Sequence, residues 1–141
     1  MERKAICQCG ALCARVTGDP RISYVCHCRA CQRRTGAVLH AGGYYFKSQV
    51  SYQGVSRVYT RRADSGFDIR FHFCPECGTS VYWETDKYPD QCGIASGCFA
   101  DPDFPPPSLS MWEQSRHPWL ELPASLQRLE RGIAADGTPM R

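Results

Sequence analysis

No run of apolar residues in this 141-residue chain approaches the roughly 20 that a membrane-crossing helix needs, so a helical anchor is not expected. No apolar segment follows the early charges Glu2, Arg3 and Lys4. That argues against a secretion signal and predicts a cytoplasmic, reducing setting. The basic surplus is small, a net +3 spread over Arg29, Arg33–Arg34 and Arg61–Arg62. Without a recognisable nucleic-acid motif beside it, this balance makes nucleic acid an unexpected partner and suits a small anion better. There is no internal repeat, and the only biased tract is the proline-rich stretch 102–107. Repeat architectures are thereby set aside. What remains is one domain's worth of ordinary globular composition, 43% hydrophobic and 22% charged, read as a single unit over 1–141.

Helical periodicity is also scarce. Residues 55–60 and 67–73 alternate in the period-2 manner of strands with one buried face, and 11–16, 36–46, 79–84 and 92–99 are further strand candidates. Gly42-Gly43 is expected to mark a bulge or bend. A one- or two-turn helix is predicted from Arg29 to Thr35, closed by Gly36 at the C-cap. A second short helix is predicted over 124–133, with Leu126, Leu129 and Ile133 on one side, followed by a frayed tail at 134–141.

Against this background the cysteines stand out. Seven of ten fall into three clusters, Cys7-Gln8-Cys9, Cys26-His27-Cys28-Arg29-Ala30-Cys31 and Cys74-Pro75-Glu76-Cys77-Gly78. In a reducing compartment such spacings favour metal binding over disulfides. In Cys74-Pro75-Glu76-Cys77-Gly78 two residues between cysteines let both sulfurs meet one ion from a tight turn, and the glycine takes a backbone conformation other residues resist. Cys7-Gln8-Cys9-Gly10 is a tighter version whose sulfurs converge if the backbone bends. Counting ligands, the first and third clusters form a four-thiolate site, Cys7, Cys9, Cys74 and Cys77, of the closed kind usual for structural zinc. The middle cluster keeps three thiolates, Cys26, Cys28 and Cys31, and leaves the fourth zinc position open. Two zinc ions per chain are therefore predicted. Two other assignments stand beside this one. Cys13, Cys92 or Cys98 could close the middle site, or Cys28 and Cys31 could pair with Cys74 and Cys77 as a zinc ribbon. A dithiol redox role has no thioredoxin-like pattern around it.

In this order of motifs the chain resembles the glutathione-dependent formaldehyde-activating enzyme family, which includes centromere protein V-like proteins. The matching residues are Cys7-Gln8-Cys9-Gly10-Ala11, Cys26-His27-Cys28-Arg29-Ala30-Cys31-Gln32, Gly36-Ala37 and Phe73-Cys74-Pro75-Glu76-Cys77-Gly78-Thr79, with the region of Trp119 resembling the closing segment. The family-like core so defined covers 7–122. The resemblance implies a mainly β fold of small antiparallel sheets, tent-like around zinc, with few short helices. It also implies structural zinc on Cys7, Cys9, Cys74 and Cys77, and catalytic-type zinc on Cys26, Cys28 and Cys31. The implied activity is that of a carbon–sulfur lyase, joining glutathione to formaldehyde.

Read from the residues, an open zinc held by soft thiolates suits a thiol substrate better than hydrolysis. Arg29, Arg33 and Arg34, nearest in sequence, are candidates to hold a carboxylate of a glutathione-like thiol. The rival reading is a non-catalytic zinc-bound interaction module for protein or nucleic acid. His27 is expected to face away from the sulfurs, since alternate residues of a bent loop diverge. His40 and His72 are read as ordinary strand histidines, and Tyr44, Tyr45, Phe46, Trp83 and Trp112 as core or pocket wall.

Overall fold

Strands form where β-branched and aromatic residues alternate, and they set the architecture. The computed structural model describes residues 1–140, and it is mainly β. A three-stranded antiparallel sheet pairs β1 (Glu2–Ile6), β2 (Cys13–Thr17) and β5 (Val50–Gln53). A larger sheet has β11 (Gln127–Arg128) at one edge, then β10 (Leu109–Met111), β3 (Ile22–Cys26), β4 (His40–Phe46), β9 (Gln91–Ala95), β8 (Ser80–Thr85), β7 (Asp68–Phe73) and β6 (Arg57–Arg62). The single α-helix among the described residues, α1 (Arg29–Thr35), lies between β3 and β4.

The two faces of the large sheet do different jobs. Tyr45, Cys92 and Ile94 on one face pack with Ala14 and Val16 of the small sheet and Leu12 just before it, all buried. Burial on this scale stabilises by roughly 1.5–3 kcal/mol per large side chain. Tyr24, Cys26, Phe71 and Trp83 turn to the other face, where Leu109 and Leu129 join them. Alternation along each strand thus separates a packed core from a second face that borders a cavity.

Several segments depart from expectation. The strand expected over 36–46 begins only at His40, because Gly36 ends α1 in the left-handed conformation with φ 70°. The strand expected over 92–99 stops at Ala95 and tightens into a 3₁₀ turn, Ser96–Phe99. The helix expected over 124–133 does not form. There β11 pairs in parallel with β10, Gln127 N–H donating to Ser108 O at 3.0 Å and Leu129 N–H to Ser110 O at 2.8 Å. A segment this short is marginal as an isolated helix, and the open edge of β10 offers its backbone partners instead. Leu126 and Leu129 are buried all the same. The sheets are antiparallel except here, because β10 also runs parallel to β3. Strands β1, β3, β5 and β10 carried too little alternation to be read from sequence. Described residues of the tail fold back, with Met140 N–H donating to Gly132 O at 2.8 Å and an isolated bridge joining Ile133 to Pro139.

Candidate metal centres and an adjoining cavity

The sulfurs of Cys7, Cys9, Cys74 and Cys77 all lie within 4.8 Å of one another and could hold a metal ion. The first pair sits in the turn from β1 to β2, the second in the turn from β7 to β8. Gly10 at φ 86° and Gly78 at φ 78° supply the left-handed step each knuckle needs. Gln8 N–H donates to Thr79 Oγ1 at 3.2 Å and stitches the two turns together. Leu12 N–H reaches Cys7 Sγ at 3.2 Å. Burial raises the Cys7 thiol, but this amide and the neighbouring sulfurs outweigh it and lower its pKa. Bonding to Thr79 brings Cys77 down to about 5. Cys9 moves the other way: the Ala11 amide lowers it, but the bond with Cys74, desolvation and the bond with Cys7 outweigh that and raise it to about 12, so the four sulfurs share their protons unequally.

Cys26, Cys28 and Cys31 form the second convergence, again within 4.8 Å. Cys26 ends β3, Cys28 caps α1 and accepts from Cys31 N–H at 3.3 Å, and Cys31 lies in the first turn of the helix. Bonds from Cys26 and Cys31 hold the Cys28 thiol down to about 2. Its partners move the other way. Cys26 is raised by its bonds to Cys28 and Cys31 and by burial. For Cys31 the bond with Cys26 lowers the pKa, but Cys28 and burial raise it to about 11. Together the three thiols, held this close, favour one thiolate among them.

No fourth His, Cys, Asp or Glu ligand atom joins this group among the described residues. Cys92 is buried in the core between the sheets, and Cys98 contacts Ser80 O at 3.7 Å. Cys13 is buried on β2. None of them closes the middle site. The ribbon pairing is also excluded, since Cys74 and Cys77 gather with Cys7 and Cys9 instead.

The loop carrying the three cysteines is pinned from outside. His27 N–H donates to Met111 O at 3.0 Å, and Gln32 Nε2 donates to His27 O and Ser115 O at 2.8 and 3.1 Å. His117 Nε2 donates to Gln32 Oε1 at 2.9 Å. His27 is fully buried and faces Ser110, 2.9 Å away, and not the sulfurs. Burial lowers its pKa. Ser110 in turn donates to Glu113 at 2.6 Å.

A cavity of about 900 Å³ opens beside Cys26, Cys28 and Cys31. Arg29 and Arg34 line it, as does Arg61, which sequence position did not suggest; Arg33 does not. The Arg34 guanidinium lies 4.4 Å from the Phe71 ring centre, and its Nε and Nη2 are buried without a hydrogen-bond partner. Buried guanidinium nitrogens left in this state are prepared for an anion. His40, read from sequence as an ordinary strand histidine, pairs with Cys26 across the β3–β4 ladder and lines the cavity. Burial brings its pKa down to about 3, so it is neutral there. Its pattern in the sequence gave no signal, because only the pairing register puts it beside a cysteine. Trp83, Tyr44 and Trp112 are cavity wall, as expected for that group, while Tyr45 is core and Phe46 is partly exposed beneath Arg21. Trp119 is exposed, edge-on to His117, and does not line this cavity.

Comparison with known proteins agrees with this geometry. The family model described as "Glutathione-dependent formaldehyde-activating enzyme" matches residues 2–115. A search of curated proteins finds no match. Among solved structures, a Rhodobacter sphaeroides protein determined as a structural genomics target is similar at 19% identity, with a TM-score of 0.55 over 75% of this chain and 92% of that one. That likeness concerns the fold alone. No helix among the described residues is long and apolar enough to cross a membrane.

Proposed function

Because the chain belongs to the glutathione-dependent formaldehyde-activating enzyme family, we propose that it is a zinc-dependent enzyme of carbon–sulfur lyase or synthase type. It would join a glutathione-like thiol to a small carbonyl compound, or separate their adduct. The observation that carries this reading is the convergence of Cys26, Cys28 and Cys31 at the cavity wall, without a fourth protein ligand among the described residues. Two zinc ions would be held, one structurally by Cys7, Cys9, Cys74 and Cys77 and one by the three-cysteine cluster. The donor sets fit, since both are all-sulfur and converge within the reach of one ion. When bound at the second cluster, zinc would supply a position for a soft sulfur ligand and a lowered thiol pKa.

The net reaction is redox-neutral. The thiol S–H bond and the carbonyl π bond give way to a carbon–sulfur bond and a hydroxyl, and cleavage reverses this. The chain's own residues orient and shield the reactants. Arg34 and Arg29 hold a carboxylate of the thiol, and Arg34, stacked on Phe71, is held in place to do so. Trp83 and Phe71 exclude water. Tyr24, two residues from Cys26 on the same strand face, lining the cavity and 3.5 Å from His40, would give the developing alkoxide its proton. The cytoplasm is the setting in which these free thiols would persist.

Elemental analysis after zinc is added back should approach two ions per chain. Cobalt-loaded protein should change its sulfur-to-metal absorption when glutathione is added, more strongly as pH rises toward the thiol's pKa. The analogue with serine in place of cysteine should leave the spectrum alone. A spectrum unmoved by saturating thiol, with all three cysteines holding the metal, would overturn the enzyme reading in favour of a non-catalytic interaction module.

A further inference from the structure

The cavity is far larger than a one-carbon aldehyde requires. About 900 Å³ adjoin the three sulfurs, near the upper end of the range for pockets that bury drug-sized ligands. The large sheet gives its depth. Cys26 pairs with His40, and four residues away on the same strands Ile22 pairs with Tyr44, in line with Gly93, Trp83 and Phe71. At about 3.4 Å per residue these rows stand roughly 14 Å apart. Ile22, Tyr44 and Ile69 give the distal end an apolar wall, with Arg21, Lys87 and Gln91 also lining the cavity. The Trp83 indole reaches back toward the cysteines, 4.7 Å between its centre and that of the His40 ring.

The far closure comes from beyond the family-matched stretch 2–115, where Ile133 and Met140 line the cavity. This wall is built into the fold. Leu126 and Leu129 are buried beneath it, and Lys87 Nζ donates to Ile133 O. Trp112 packs so closely on Gly132 that a Cβ there would lie 2.9 Å from its Nε1. Trp112 holds φ 59°, a left-handed conformation that is costly for a bulky side chain and persists only when its surroundings enforce it.

We propose that the carbonyl compound handled at the three-cysteine cluster carries an apolar chain or ring of several carbons, lodged along Tyr44, Trp83 and Ile69 with its distal end against Ile133 and Met140. This rests on the thiol–carbonyl reading above. A peptide laid against Ile22, Tyr44 and Ile69 would face three apolar or aromatic side chains with several of its amides, a costly burial where they find no partner. The glutathione-like portion therefore belongs beside α1, where Arg29 and Arg34 line the cavity.

S-methyl, S-hexyl and S-benzyl glutathione share one headgroup and differ only in the carbon part. Their binding to the zinc-loaded full chain can be read by calorimetry and by quenching of tryptophan emission. Each buried methylene should tighten binding by about fourfold, so the hexyl compound should bind at least about 50-fold tighter than the methyl one. Ile133→Ser and Met140→Ser should each shrink that hexyl-to-methyl ratio by about tenfold, with circular dichroism reporting that the fold is kept. Ile69→Ser, on a strand of the main sheet, provides the same reading if the tail variants unfold. An unchanged ratio in folded variants, or a hexyl compound no tighter than the methyl one, would overturn the proposal. The cobalt spectrum separates the two readings. Thiol-dependent absorption without chain-length dependence removes only the apolar substrate, and the reverse removes only the thiol chemistry.

Discussion

The indole of Trp83 rests directly on the backbone of Gly93: a Cβ built on that glycine would lie 2.0 Å from the ring. Gly42 on the neighbouring strand leaves the same kind of room, at 2.7 Å. Trp83 Nε1 then donates to the Tyr44 hydroxyl at 3.2 Å, fixing both rings in the cavity wall. Gly93→Ala should therefore destabilise the fold by about 1–3 kcal/mol through overpacking and disturb tryptophan emission. Gly97→Ala, whose Cβ meets nothing within 4 Å, should change stability by less than about 0.5 kcal/mol. Thermal melts of the two variants check the contrast.

The two cysteine clusters should fail differently. Cys9 and Cys74 approach to 3.6 Å across 65 positions of sequence, so their cluster ties two distant turns. Cys77→Ser is expected to unfold or aggregate the protein. Cys28→Ser opens only a local loop that Gln32 and His27 already pin, and should leave a folded chain with one metal fewer. Circular dichroism with metal analysis decides between these outcomes, and equal collapse would make the middle cluster structural as well.

Glu113 joins three segments, accepting from Ser110 at 2.6 Å, Arg116 at 2.7 Å and Arg128 at 2.9 Å. Burial alone would raise its pKa, but the bonds from Ser110 and Arg116 outweigh that and lower it below the ordinary 4.5. On acidification the unfolded chain therefore takes its proton first. The stabilisation is whole above about pH 4.5 and is lost as pH falls through the lower folded value. Glu113→Gln should cost about 1–3 kcal/mol at neutral pH. Denaturant melts across pH should show that difference shrinking below 4.5.

Arg34 has two buried guanidinium nitrogens without a partner. Arg34→Met, which keeps much of the packing against Phe71, should weaken binding of glutathione by about 10–100-fold, the scale of a lost charged hydrogen bond. A thiol without carboxylates, such as ethanethiol, should be affected little. Arg33→Met, outside the cavity, serves as the control. Calorimetry on the zinc-loaded chain reads all three.

Local chemistry made much of this molecule legible without coordinates. The knuckle spacings with their glycines, the short helix Arg29–Thr35 and its Gly36 cap are each specified within a few residues, and the structure has them. Counting ligands was enough to divide the seven clustered cysteines as the sulfurs gather. Tertiary structure decided what depends on distant segments. A helix this short fixes where it starts and stops, but only its packing sends Arg34 into the cavity and leaves Arg33 outside. Strand register alone sets His40 beside Cys26. The spacing of Leu126 and Leu129 is that of one helix face, but the unpaired backbone of β10 decides for a strand. Spacing sets the ligands because a metal site is built from a few near neighbours. The cavity's shape, by contrast, is closed by side chains far apart in sequence, whose meeting only the folded sheet determines.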